Sequence, residues 1–363
     1  MQPEPWDIAV VGAGPAGSVC ACSALAASDG LRVALIDRET FPRDKSCGDA
    51  IRDDAVSTLG ELGLDAIFES RPSIRCLRPT FPLKFQYLKK LVDWDQYAYR
   101  IVERKPFDNA LYEAAVQRGA QDFTGYRLTD AALDESVGLW TLTLKARSGQ
   151  EVAICSKVLV GADGASSQVR RIVGLDLNKD AHLAVGLRAY AHAEGLDMGA
   201  LRIDYLESLI PGYGWTFPLK DGKVNIGIFL DVRDYRRIGK NLRAHLDDYA
   251  QYLAGQGVRL RDLSDVKTHP LPMGSRVLPL VPQRHVALIG DAAAMIDPFT
   301  GEGIHFGIWA GRVAGRAAAE SICEGDPQAG LERYAKACAE SFGSTMGDSQ
   351  RLRVMLRFQR MFL

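Results

Sequence analysis

The residues of this chain best suited to chemistry are three glycines and three acids. Gly12, Gly14 and Gly17 fall at G-x-G-x-x-G spacing, with Ala16 inside the turn, directly after the apolar run of residues 8–11. In such a turn the first glycine allows a tight bend and the second lets backbone N–H groups approach a pyrophosphate. The third lets the following helix pack close to the strand. A helix starting there points its positive end at the phosphates. Asp37 closes the next apolar run about 20 residues past the last glycine, where an acid would hold an adenosine ribose hydroxyl, and Arg38 follows it. Two more apolar runs end in acids, one at Asp163 and one at Gly290 and Asp291. Open α/β sheets bind ligands at the carboxyl ends of their strands, so the three acids are expected to meet at one dinucleotide site.

Those acids need elements to position them. The β-branched runs ahead of Gly12, Asp37, Asp163 and Asp291 read as buried parallel strands. Residues 108–118 read as a helix, with Ala110, Leu111, Ala114 and Ala115 at helical spacing. So do residues 242–253 and an Ala/Gly-rich stretch from about 303 to 320. Between these, 128–152 and 184–230 alternate with period two, and Pro211-Gly212-Tyr213-Gly214 marks a turn. The simplest architecture is an α/β fold with one nucleotide-binding domain built from 1–75, 100–178 and 270–345. A sheet domain for substrate, 76–99 and 179–269, is inserted into it, and 346–363 forms a C-terminal amphipathic tail.

Bulk properties narrow the function. A chain of 363 residues suits about two domains. A net charge of −1 removes the electrostatic case for nucleic acid. No apolar run is long enough to span a bilayer, and the short polar start carries no secretory signal, so a cytoplasmic protein is expected. The seven cysteines are scattered, odd in number and without C-x-x-C, which points to a reducing compartment and no metal site.

Four further segments narrow the chemistry. They are Lys45-Ser46-Cys47-Gly48-Asp49, Arg104-Lys105-Pro106-Phe107-Asp108, Pro211-Gly212-Tyr213-Gly214-Trp215-Thr216-Phe217-Pro218 and Asp297-Pro298-Phe299-Thr300-Gly301-Glu302-Gly303-Ile304. With the glycine turn, Gly161-Ala162-Asp163-Gly164 and Gly290-Asp291-Ala292-Ala293, they resemble the geranylgeranyl reductase family. That family lies within the para-hydroxybenzoate-hydroxylase-like flavoproteins, and the resemblance covers about residues 5 to 325. Asp297 stands where the family usually has Asn. The resemblance implies a Rossmann-like FAD-binding domain with an inserted β-sheet substrate domain and FAD held without a covalent bond. It places Arg104 at the cofactor, opposing phosphate charge, and Cys47 and Gly48 near the isoalloxazine.

Each piece then has a physical reading. Asp291 would accept from a ribityl hydroxyl or sit beside the pyrophosphate. The turn from Pro298 through Gly301 to Gly303 opens a helix at Ile304, whose N-terminus would face the flavin and favour its anionic reduced form. Cys47, Gly301, Glu302 and His305 are the candidate catalytic residues, although Cys47 also reads as a small buried thiol and His305 as a packed core histidine. Trp215 and Phe217 share one face of a strand and either line an apolar substrate pocket or belong to the core, as Trp309 does in the bland reading. Arg351, Arg353, Arg357 and Arg360, set among apolar residues, make a basic tail that either meets a membrane surface or partner, or covers the substrate domain.

The resemblance implies reduction of a carbon–carbon double bond in an apolar substrate. The alternative is flavin-dependent monooxygenation of a small molecule or of a protein or peptide side chain, with halogenation a lesser branch. No second dinucleotide motif is present, so NAD(P)H would bind transiently, or a separate reductase would supply the electrons.

Overall fold

The computed structural model describes residues 4–69, 74–76 and 98–361. The chain starts with β1 (Trp6–Val11), α1 (Pro15–Ala27) and β2 (Val33–Asp37), and continues into β3 (Ala50–Arg52), α2 (Asp53–Gly60) and β4 (Ile74–Cys76). Then come β5 (Ala98–Ile101), α3 (Arg104–Gln117), β6 (Gln121–Thr124), β7 (Tyr126–Asp134), β8 (Leu139–Ala146), β9 (Glu151–Gly161) and α4 (Gln168–Ile172). The next stretch holds β10 (Leu183–Glu194), β11 (Ala200–Asp204), β12 (Tyr213–Pro218), β13 (Lys223–Asp231), α5 (Val232–Ile238), α6 (Leu242–Gly255) and β14 (Arg259–Pro272). The chain closes with β15 (Val286–Leu288), α7 (Ile304–Glu324) and α8 (Pro327–Met361).

The apolar runs ahead of the acids form one sheet, ordered β6-β2-β1-β9-β8-β7, with β15 also on β9. β1 pairs in parallel with β2 and with the second half of β9, and β15 pairs in parallel with that same half. The first half of β9 instead forms an antiparallel hairpin with β8. This parallel register brings Val11 opposite both Ile36 and Gly161, so the turns after three strands lie side by side. Ile8, Val10, Leu35, Val158 and Val160 are fully buried, as strands covered on both faces should be. α1 and α7 pack tightly on each other because α7 presents Gly311 and Gly315. A Cβ on either would collide with the backbone carbonyls of Ala16 or Cys20.

The second sheet is ordered β14-β10-β13-β12-β11-β4-β5-β3 and is mostly antiparallel. Its two faces separate by the two-residue period of the strand. Ile226, Ile228, Leu187 and Ala189 pack under α6 through Leu246, Tyr249 and Leu253. Tyr213, Trp215, Phe217 and Phe229 make an aromatic layer on the opposite face. β3 joins this sheet through β5, although the sequence grouped residues 50–52 with the nucleotide-binding segments.

The C-terminal residues also differ from expectation. Residues 346–361 are the second half of the 35-residue α8, not a separate tail. The Arg353 and Arg357 guanidiniums both pair with Asp231 at the end of β13, Arg357 also reaches Asp234, and Leu356 is fully buried beside them. Arg353 and Arg357 are therefore turned onto the second sheet, because buried carboxylates there need cations, whereas Arg351 stays exposed and pairs with Asp348 of its own helix. Arg360 lies where side chains are outside the described residues.

Candidate functional site

The turns after β1, β2 and β9 open into one cavity of about 1160 Å³, more than the ~300–1,000 Å³ common for small-ligand pockets. Its wall includes Gly12, Gly14, Ala16, Asp37, Arg38, Asp163, Gly290 and Asp291 from the first sheet's turns. It also includes Cys47, Gly48, Arg104, Trp215, Phe217, Gly301, Glu302, Gly303, Ile304 and His305. Gly17 and Pro298 are the two expected residues that do not reach it. Gly17 instead faces β1, where a Cβ would collide with the Gly12 carbonyl.

Local geometry prepares the glycine turn for an anion. Gly12 has φ +110°, a conformation that suits only glycine, and its missing Cβ leaves room for the Ala162 carbonyl. A Cβ on Gly14 would meet only the tip of Arg43, Nη2 at 3.3 Å. α1 begins at Gly14 with no side-chain cap and no acid in its first turn, so its N-terminal N–H groups are unclaimed by side chains. Asp37 braces the turn: its carboxylate accepts from Ala13 N at 2.8 Å and Glu39 N at 2.9 Å. Asp163 is committed locally, accepting from Ser167 Oγ, from Gln168 N at 2.6 Å and from Val169 N at 3.1 Å. Its carboxylate thus caps α4, while its backbone stays at the cavity.

Charges around the cavity are mostly matched. Arg104 is buried and forks onto Asp108 one turn on, at 2.7 and 2.8 Å, and Arg43 reaches the same carboxylate at 3.0 Å. Two guanidiniums therefore share one carboxylate, and a net positive charge faces the cavity. Burial works to raise the Asp291 carboxyl, but Lys45 Nζ at 2.8 Å and the other basic groups around it, Arg104 among them, together outweigh it and hold Asp291 below its ordinary range. Burial, together with Lys45, lowers the His269 imidazole to about 3, so it is neutral. Burial raises the Cys47 thiol above its ordinary value, so it stays a thiol near neutrality and is a poor nucleophile.

A second cluster surrounds Glu302. Its carboxylate accepts from Tyr99 Oη at 2.6 Å, with Arg52 Nη1 at 3.5 Å and His305 Nδ1 at 3.8 Å. Burial raises Glu302 to about 7, with Arg52 and the Tyr99 hydrogen bond opposing. Burial, reinforced by Arg52, lowers His305 to about 3. The pair can hold one proton, on Glu302, beside a neutral imidazole.

The aromatic wall is Tyr205, Tyr213, Trp215, Phe217, Phe229 and Phe299, with Leu352 of α8 among the residues closing it. Sequence reasoning missed Arg43, Tyr99, Asn225, Phe229 and His269. Lys45 and Phe299 stood inside recognised motifs, so a signal existed for them; Asn225 and His269 carried none. Among the described residues no group of three or more His, Cys, Asp or Glu could hold a metal ion, and no helix is long and apolar enough to cross a membrane.

The profile of the FAD binding domain matches residues 6–346. The chain belongs to this FAD-binding family. It is an FAD-dependent oxidoreductase. Menaquinone reductase of Mycobacterium tuberculosis is 33% identical over 366 residues, covering 98% of this chain and 85% of that protein. Digeranylgeranylglycerophospholipid reductase 1 of Methanococcoides burtonii is 26% identical, covering 95% and 82%. A geranylgeranyl bacteriochlorophyll reductase-like protein of Thermoplasma acidophilum has the same fold, with TM-score 0.79, 22% identity and coverage of 99% and 88%. FAD suits the residues present. The uncapped start of α1 and the open space at Gly14 leave a cradle for phosphates, and the cavity has volume for a dinucleotide.

Proposed function

We propose that this protein reduces a carbon–carbon double bond in an apolar, unsaturated substrate. One observation carries the reading: the phosphate cradle and the aromatic wall belong to the same cavity. A cofactor bound at the first sheet would thus share a water-poor space with a hydrocarbon chain. The names of the relatives point the same way, toward a menaquinone and a digeranylgeranylglycerophospholipid.

In this reading Gly12, Gly14, Ala16 and the start of α1 hold the pyrophosphate, with Asp37 and Arg38 at the adenosine. Arg104, with Arg43, supplies positive charge; Gly290 and Asp291 meet the ribityl chain. Gly303 and Ile304, at the start of α7, face the flavin with N–H groups that no side chain caps, and Gly301 lies beside them with its own N–H spent on the Asp297 carbonyl. Reduced FAD supplies a hydride when bound. The chain's own residues must then provide a proton and a dry, oriented pocket. Glu302 is the proton donor: at about 7 it keeps a proton on its carboxyl near neutrality, and Tyr99 fixes its orientation. Neutral His305 excludes a competing charge. Trp215 and Phe217 hold the substrate's apolar face, and Cys47 packs as a protonated thiol. The electron donor is NAD(P)H or a separate reductase, and the site of action is cytoplasmic.

The test uses protein loaded with FAD, reduced by dithionite without oxygen, freed of excess dithionite, and mixed with a geranylgeranyl lipid, which has no quinone ring to take the electrons. Flavin reoxidation with a product heavier by one hydrogen pair, read by mass spectrometry, is the expected result. Reoxidation only on admitting oxygen, with substrate unreduced, would favour monooxygenation and overturn the proposal.

A further inference from the structure

We infer that Asn225 is a positioning residue that clamps the loop of Lys45 to Asp49 onto the aromatic wall, holding Cys47 and Gly48 at a fixed spacing from the Trp215 indole. Asn225 does not line the cavity and is fully buried on β13. It acts through residues that do line it.

The donor and acceptor inventory forces the arrangement. Trp215 Nε1 can only donate, and it donates to Asn225 Oδ1 at 2.9 Å. The Cys47 carbonyl can only accept, and it accepts from Asn225 Nδ2 at 2.7 Å. Turning the amide over would face N–H against N–H and oxygen against oxygen, so one orientation survives. The second Nδ2 hydrogen goes to Asp49 Oδ2 at 2.8 Å, which also accepts from Tyr190 Oη at 2.7 Å. Both donors and the acceptor oxygen of one side chain are therefore engaged in joining the wall to the loop.

The loop needs this hold. Residues 43–49 form no helix or strand. Asp49 sits at φ +65°, a left-handed conformation that persists where its surroundings over-determine it. Its N–H donates to Cys47 Sγ at 3.3 Å, so the thiol is tied to the same residue that Asn225 grips. At Gly48 the loop lies against the aromatics: a Cβ there would stand 2.9 Å from Phe217 Cε2 and 3.5 Å from Trp215 Nε1. Strand geometry gives Asn225 its reach. It shares a face of β13 with Gly227, whose missing Cβ leaves the space that the Trp215 indole fills.

The test reads Cys47 directly. FAD-loaded wild type and Asn225→Leu are treated with iodoacetamide, and the labelling rate at Cys47 is measured by mass spectrometry relative to that of Cys338, which is buried on α8 and rises too if the variant merely opens. Loss of both donated hydrogen bonds should raise the Cys47 rate about tenfold. Trp215→Phe, which removes the indole N–H together with part of the ring but leaves both Asn225 donors in place, should give a smaller rise in the same direction. A folded Asn225→Leu protein whose Cys47 rate stays within about twofold of wild type, whatever its melting temperature, overturns the clamp. Should Asn225→Leu not fold, Asn225→Ala removes both donors with no added bulk and no new charge beside Asp49, and the same two outcomes apply. The importance of the clamp for turnover rests on the proposed reduction; the labelling does not. Raised labelling in a protein that reduces nothing would count against that reaction and leave the clamp standing.

Discussion

Glu302→Gln is the most informative perturbation of the site. Burial lifts this carboxyl from its ordinary 4.5 to about 7, so the folded protein binds the proton more tightly than the unfolded chain does. Below 4.5 both states are protonated and the full stability is present. As pH rises toward 7 the unfolded chain releases its proton while the folded one keeps it, and stability is lost; above 7 the loss is complete. At about 1.36 kcal/mol per pH unit, the loss is on the order of 3 kcal/mol. Gln keeps the shape, and its carbonyl can still accept from Tyr99, but it has no proton to release. Asp49, raised by burial to about 6, and the lowered His269 and His305 titrate in both proteins, so they cancel in the difference. The assay is urea unfolding of FAD-free wild type and variant in steps from pH 4.5 to 7.5. The variant should gain about 3 kcal/mol on wild type across that range. A difference that stays level would show that Glu302 titrates normally, and its role as proton donor would fall with it.

Four further outcomes follow from the packing. Gly14→Val should fold with near wild-type melting yet fail to take up FAD in a fluorescence titration, because its side chain enters the cavity. Gly17→Ala should cost about 1–3 kcal/mol of stability or more, because its Cβ meets rigid backbone at Gly12. Trp215→Ala should lower stability by about 3–5 kcal/mol and also cut turnover per folded molecule far more than FAD affinity, since the indole is both buried and on the cavity wall. A fall in melting temperature with turnover unchanged would make it a core residue only. Asp231→Ala should cost about 3–5 kcal/mol by stranding the buried Arg353, while Arg357 keeps Asp234. Adding Arg353→Met should restore part of that loss in a thermal melt, and no recovery would refute the pairing.

Local sequence was enough for the parts of this protein that obey local rules. The turn at Gly12, Gly14 and Gly17 follows from backbone sterics over a few residues. The strands ahead of Asp37, Asp163 and Asp291 follow from runs of β-branched residues. The same-face placement of Trp215 and Phe217 follows from the two-residue period of β12. Composition alone spoke against nucleic acid, and the ordered motifs pointed to FAD before any coordinates. Tertiary structure decided what those residues face. Asp163 spends its carboxylate on the start of α4 and Arg104 forks onto Asp108 within one turn, but Arg43 reaches that same Asp108 from a loop 65 residues earlier, which only the fold brings into range. Arg353 and Arg357 turn inward because Asp231 lies at the end of a strand more than a hundred residues earlier, which no pattern near the C-terminus reports. Asn225 is the sharpest case: one amide in an alternating strand looks like any other. Its partners come from β12 and from a loop before β3, and only their convergence in a dry interior, where each donor must find an acceptor, gives it a role.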